Sequence, residues 1–200
     1  MSTLLQLNTS LFANNGQSSQ LADQFVAAWQ AKNANGRVIR RDLASNPVPH
    51  LDGARFGAFL AKPEERTAEQ QQVVLFSDSL IEEIKSADTI VLGLPLYNLG
   101  VPSTLKSYFD HIARAGVTFK YTATGPVGLL TGKKAVVFAT RGGVYAGTPM
   151  DSQTDYVRTF FTFLGFAEVE FVYAEGLAMG DDVKNAALSQ ARQQFERLAA

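Results

Sequence analysis

The 200-residue sequence contains no cysteine and only two histidines, His50 and His111. The first absence excludes disulfides, thiolate nucleophiles and cysteine-ligated metals or clusters. The second leaves too few imidazoles for a histidine metal centre or a Ser-His-Asp triad, so both histidines are read as structural or surface residues and no metal is expected. Charge of one sign is also missing: 18 Lys and Arg against 19 Asp and Glu give a net charge of -1. That balance supplies neither the basic field that nucleic acid requires nor the polybasic run that an anionic membrane surface attracts. No apolar run approaches the roughly 20 residues that cross a bilayer, and MSTLLQLNTS lacks the basic and long apolar regions of a signal peptide. A cytoplasmic protein with small, weakly charged partners is expected. Apolar residues are plentiful, at 46%. They alternate regularly between short runs and amphipathic stretches, which fits a single domain over residues 1–200.

The chain is organised around Asp88 to Ile112, DTIVLGLPLYNLGVPSTLKSYFDHI. Thr89 to Leu94 is a nearly unbroken apolar run with β-branched residues, which suits a strand buried on both faces of a parallel sheet. Pro95 ends it, a mixed loop follows, and Ser103 is placed to cap a helix carrying Leu105, Tyr108, Phe109 and Ile112 at helical spacing. The same alternation recurs along the chain. Thr3 to Asn8, Val38 to Asp42, Lys134 to Thr140 and Glu168 to Tyr173 read as strands. Helices are expected from Gln20, with Ser18 or Ser19 as cap and Gly36 as terminator, from Thr67, over Asp151 to Phe163 and over Asp181 to Leu198. The segment LASNPVPHLDGARFGAFLA has no clean period and reads as a long irregular excursion. Residues 117–128, with Val117, Phe119 and Tyr121 alternating among glycines, read as a β-hairpin or flap. Five strand-helix repeats with right-handed crossovers imply a doubly wound, five-stranded parallel sheet, order 2-1-3-4-5, with helices on both faces.

In that topology the loops after the first, third and fourth sheet strands emerge at one carboxyl edge, where ligands of open α/β sheets bind. The first loop, TSLFANNGQSS, feeds a helix start directly, so free N–H groups and the positive end of the helix dipole suit a phosphate, with Ser10, Gln17 and Ser18 adding donors. The loops LYNL and TRGG offer apolar contact, an amide and backbone donors, which suit a flat heteroaromatic ring. Paired glycines also let the backbone approach such a ring closely. A mononucleotide with a planar ring fits all three, and flavin mononucleotide (FMN) fits best.

The segments SLFANNGQSSQLA, LPLYNLGVPSTLKSYFDHIARAGVTFKYT, TGKKAVVFATRGG, FLGF and VYAEG also carry a family resemblance. Together they resemble the FMN-dependent NADH azoreductases, also described as NAD(P)H:quinone oxidoreductases, from the first strand to about Gly176. The resemblance implies a homodimeric flavodoxin-like enzyme that binds FMN and uses NADH or NADPH for ping-pong, two-electron reduction of quinones and reductive cleavage of azo compounds. Carried onto matching positions, it assigns Ser10, Gly16, Gln17 and Ser18 to the phosphate, and Leu96, Tyr97, Asn98 and Leu99 to the ring and ribityl chain. Thr140, Arg141, Gly142 and Gly143 fall at the pyrimidine edge. Asn98, Gly142 and Gly143 would support charge on the reduced ring, the flavin itself carrying the hydride, while Tyr121 and Phe163 are weaker candidates for an aromatic wall over the substrate. The family commonly has a serine where Gly16 stands. The rival reading is a flavodoxin-type electron carrier without a substrate pocket. Such carriers tend to be strongly acidic, unlike this chain.

Overall fold

The computed structural model describes residues 2–198. Five parallel strands form the sheet: β1 (Thr3–Asn8), β2 (Arg37–Asp42), β3 (Thr89–Pro95), β6 (Lys134–Thr140) and β7 (Glu168–Ala174), in the order β2-β1-β3-β6-β7. The two numbers missing from that order belong to β4 (Phe119–Thr122) and β5 (Gly125–Gly128), which pair antiparallel as a separate hairpin. β3 and β6, at the centre, are buried almost throughout, which is why their sequences are continuously apolar rather than alternating.

Successive residues of each strand feed two cores. Leu4, Val91, Val136, Phe138 and Val172 face α1 (Gln17–Lys32) and α6 (Asp181–Leu198). Leu5, Leu92, Val137 and Phe171 face the other side, with α3 (Ala68–Ser86), α4 (Ser103–Ile112) and α5 (Thr154–Leu164). Helices therefore cover both faces, as expected. Thr67 caps α3 through a reciprocal pair with Gln70.

Several local expectations are corrected. The irregular excursion contains α2 (Gly53–Leu60), nucleated by Asp52, whose carboxylate accepts the Arg55 N–H at 2.8 Å. Ser18 and Ser19 do not cap α1: Gly16 occupies that position, and both serines are buried inside the helix. Ser103 does not cap α4 either, since Pro102 stands there. α1 ends at Lys32, with Asn33 closing it. Gly36 instead clears the Trp29 indole, which a side chain at position 36 would approach to 2.5 Å. The hairpin is seated by another glycine pair. A Cβ on Gly128 would lie 2.1 Å from the backbone of Leu164 and Gly165, at the end of α5, where Gly165 takes a left-handed φ of 105°.

His111 is 1% exposed. Its Nε2–H donates to the Pro49 carbonyl at 3.1 Å, its Nδ1 has no partner among the described residues, and Phe59 and Phe76 meet it edge-on. Burial pushes its pKa down; the Pro49 bond opposes that, and the Arg55 and Arg114 charges add to it. The native state thus binds this proton less readily than the unfolded chain. Stability should fall as pH drops through the unfolded histidine value, near 6.5, by up to about 1.4 kcal/mol per pH unit until native His111 protonates. Urea midpoints at pH 7.5 and 5.5 check this: His111→Gln should flatten the difference, and an equal slope in both proteins would refute it.

Candidate functional site

The loops after β1, β3 and β6 converge on an open groove of about 170 Å³, lined by Ser10, Phe12, Gly16–Ser18, Pro95–Tyr97, Thr140–Gly142 and Leu177. At one end α1 begins without a side-chain cap, and Gln20 is the first residue whose N–H reaches a helical carbonyl, that of Gly16 at 3.0 Å. The N–H groups of Gln17, Ser18 and Ser19 are therefore left for an outside acceptor. Ser18 is 1% exposed, yet its Oγ has no partner among the described residues. A buried orphan hydroxyl beside free N–H groups at a positive helix end is the donor set of a phosphate site. The loop closes tightly at this point. A Cβ on residue 16 would stand 2.1 Å from Ser10 Oγ, so the serine that the family resemblance leads one to expect does not fit this backbone.

The second loop turns at Asn98 and Leu99, whose φ values are 50° and 60°, with Tyr97 and Gly100 bonded to each other across it. Positive φ at both central residues suits asparagine and strains leucine by about 1–2 kcal/mol. The turn is held from outside: Gln153 Nε2 donates to the Pro95 and Gly100 carbonyls at 3.0 and 3.3 Å, and Ser152 Oγ donates to Leu99 O. Tyr97 ties this loop to the first, its hydroxyl lying 3.2 Å from Ser10 Oγ and accepting the Leu11 N–H.

In the third loop the carbonyls of Arg141, Gly142 and Gly143 accept from the N–H groups of Leu177, Ala178 and Gly176 at 3.1, 3.0 and 2.9 Å. The N–H groups of Gly142 and Gly143 have no acceptor among the described residues. Arg141 borders the groove, but its side chain is buried away from solvent. The guanidinium is fully buried, bonded to Asp151 at 2.8 and 3.0 Å, to Glu175 at 3.1 Å and to Thr154 at 3.0 Å, and it lies 5.0 Å over the Tyr173 ring. Burial alone would raise the Asp151 carboxyl. The hydrogen bonds from Arg141 and Thr154 and the Arg141 charge outweigh it and hold the group below the usual carboxylate range. The cation is thereby neutralised, and the groove offers an anion hydroxyls and N–H groups instead.

Across residues 2–199 the sequence matches the flavodoxin-like fold family. The chain belongs to that family. Among its relatives, an FMN-dependent NADH:quinone oxidoreductase of Cellvibrio japonicus is 56% identical over 197 residues, covering 98% of each chain. One of the same name from Alcanivorax borkumensis is 54% identical over 192 residues, 96% of this chain and 97% of that one. Among solved structures, an FMN-dependent NADH-azoreductase from Bacillus anthracis str. Ames Ancestor, in complex with FMN, is 30% identical and superposes with a TM-score of 0.89 over 100% of both chains. An azoreductase from Bacillus anthracis str. Sterne is 28% identical with a TM-score of 0.91, covering 100% of this chain and 99% of that one.

Of the residues singled out from the sequence of this flavodoxin-like chain, Asn98, Leu99 and Gly143 stand just beyond the groove lining, on the second and third loops. Tyr121 and Phe163 are not brought to the groove within this chain. Tyr121 is 73% exposed on β4, beside a second cavity of about 510 Å³ that Phe56, Phe59, Leu60 and Phe119 also line. Phe163 packs against Phe119 at 4.5 Å between ring centres. Sequence reasoning missed Phe12, Leu177 and the acids Asp151 and Glu175. Glu175 carried a usable signal, being a carboxylate just past the carboxyl end of a sheet strand in the VYAEG run.

Proposed function

We propose that the protein is an FMN-dependent NADH:quinone oxidoreductase that also cleaves aromatic azo compounds reductively. The observation that carries this reading is the pairing, across one groove, of an uncapped helix start with an orphan buried Ser18 hydroxyl and a glycine loop with free N–H groups. The names of the relatives above support the same reading. The residues fit FMN. Gln17 and Ser18 would hold the phosphate through backbone N–H and hydroxyl donors, Leu96 and Tyr97 would border the ring and ribityl chain, and Gly142 and Gly143 would face the pyrimidine edge. Bound FMN would supply two-electron hydride chemistry between NADH and a quinone, and cleavage of an azo bond to two amines would take two such rounds, with protons from solvent.

The chain's own task is placement and charge. The Gly142 and Gly143 N–H groups are fixed donors for negative charge at the ring edge and need no reorganisation as it develops. No side-chain nucleophile is required. Asn98 stands on a left-handed turn beside the groove, and its amide would meet the ring's polar edge. We further infer a homodimer. Phe56, Leu60 and Tyr121 are 51%, 71% and 73% exposed around the second cavity, an apolar surface that a second copy would cover. The cytoplasm, where reduced nicotinamide is supplied, is the inferred location, and no described helix is long and apolar enough to cross a membrane.

An anaerobic titration tests the reading. The purified protein should show flavin absorbance that bleaches with NADH and returns with a benzoquinone, while light scattering reports a dimer mass. Flavin that NADH does not bleach would favour an electron carrier, and failure to bind added FMN would refute the site.

A further inference from the structure

The sequence Glu175-Gly176-Leu177-Ala178 grips the third loop from below. Its three N–H groups, from Gly176 to Ala178, take the carbonyls of Gly143, Arg141 and Gly142. In a planar trans peptide the N–H points opposite to the C=O. Fixing those three carbonyls toward residues 176–178 therefore turns the N–H groups of Gly142, Gly143 and Val144 the other way, and none of the three has an acceptor among the described residues. Glycine pairs rotate easily, so this orientation needs a lock at the far end of the loop. Glu175 provides it. A single oxygen, Oε1, accepts the N–H groups of Tyr145 and Ala146 at 2.8 and 2.9 Å and Arg141 Nη1 at 3.1 Å. Arg141, pinned in turn by Asp151, ties the start of the loop to the same carboxylate.

We propose that Glu175 is a positioning residue that fixes which pole of the 142–144 peptides faces the flavin. This rests on the reading of the groove as an FMN site. With the lock in place, three N–H dipoles confront the ring edge where negative charge develops on reduction. Without it only the three bonds from residues 176–178 oppose a peptide flip, and a carbonyl oxygen turned to that edge would repel the charge. The reduced flavin should then lose more binding than the oxidised one.

Three substitutions separate placement from charge. Glu175→Gln keeps an oxygen at Oε1 and removes the charge. Glu175→Asp keeps the charge and withdraws the oxygen by one methylene, and Glu175→Ala removes both. Placement requires Gln to resemble the parent, and Asp to resemble Ala. The expected signature is a tenfold preferential loss of reduced over oxidised FMN in Asp and Ala, which lowers the two-electron midpoint potential by about 30 mV. Thermal melts identify any variant that does not fold. A potential that drops in Gln but not in Asp would overturn the proposal, as would parent-like potentials in all three. Amide hydrogen exchange in FMN-free protein gives a readout independent of the flavin. Exchange at Tyr145 and Ala146, bonded to Glu175 in the parent, and at residues 176–178, bonded to the loop carbonyls, should accelerate in Asp and not in Gln, and unchanged exchange in Asp would refute the lock. Parent protein that binds no FMN would instead defeat the reading of the groove, leaving the lock to be judged by exchange alone.

Discussion

Replacing Arg141 by methionine should destabilise the protein by about 3–5 kcal/mol, because removing one partner of a buried ion pair leaves the opposing charge unpaired and out of water. Here two carboxylates would be stranded together. Asp151 is bidentate to the guanidinium at 2.8 and 3.0 Å, and Glu175 sits 3.1 Å from it on the other side. The cation–π contact with Tyr173 would be lost as well. In a domain of this size the loss corresponds to a fall in melting temperature of about 6–20 °C. The pH dependence should change with it. In the parent, the low Asp151 pKa contributes stability that is present above the unfolded aspartate value, near 3.9, and is lost as pH falls through the folded value. In Arg141→Met the Arg141 bonds and charge vanish while burial and the Thr154 bonds remain, so the Asp151 pKa should rise. The stability gap between the two proteins should then narrow on moving from pH 7 toward pH 5. Denaturant unfolding at both pH values measures this, and a variant within 1 kcal/mol of the parent at pH 7 would show that the acids are hydrated after all. Lysine should not restore the loss, since a point-charge ammonium cannot reproduce the planar fork that engages both acids.

The second large effect is expected in ligand affinity. Gly16→Ala should weaken FMN binding by about 10- to 100-fold, corresponding to the usual 1–3 kcal/mol of overpacking. The new Cβ would lie 2.1 Å from Ser10 Oγ and 2.5 Å from Ser10 Cβ. Rotating the hydroxyl relieves only the first of these contacts. The remainder must be relieved by opening the first loop away from the start of α1, which displaces the Gln17 and Ser18 N–H groups. Quenching of FMN fluorescence gives the dissociation constant. Because the clash is pairwise, Ser10→Gly combined with Gly16→Ala should recover most of the loss relative to Ser10→Gly alone. An unchanged affinity in the single Gly16→Ala variant would show that these N–H groups do not hold the phosphate.

Strands buried on both faces were the most legible part of the sequence. β3 and β6 show continuous apolar runs because neither face meets water, and the loops that follow them were found by position. Two failures have physical reasons. α2 was hidden because its flanks are rich in proline and glycine, and its apolar residues point both inward and to solvent: Ala58 is buried while Phe56 and Leu60 are exposed. The cap of α1 was misassigned because a serine before an apolar stretch normally serves the helix itself. At this helix the N–H groups are left open, and the serines lie inside. The direction of the Arg141 side chain is a separate matter that local patterns cannot reveal, because acids 10 and 34 residues away decide it.

The backbone contact of Gly128 with Leu164 and Gly165 has an evolutionary corollary. The base of the β4–β5 hairpin rests directly on the end of α5, with the Leu130 N–H bonded to Leu164 O at 2.8 Å. No side-chain exchange can adjust that seam, so it should resist drift. The tip at Ala123 and Thr124 is exposed and outside either strand. Among descendants of this chain, changes in hairpin length and chemistry should therefore collect at the tip, leaving the sheet and the groove undisturbed.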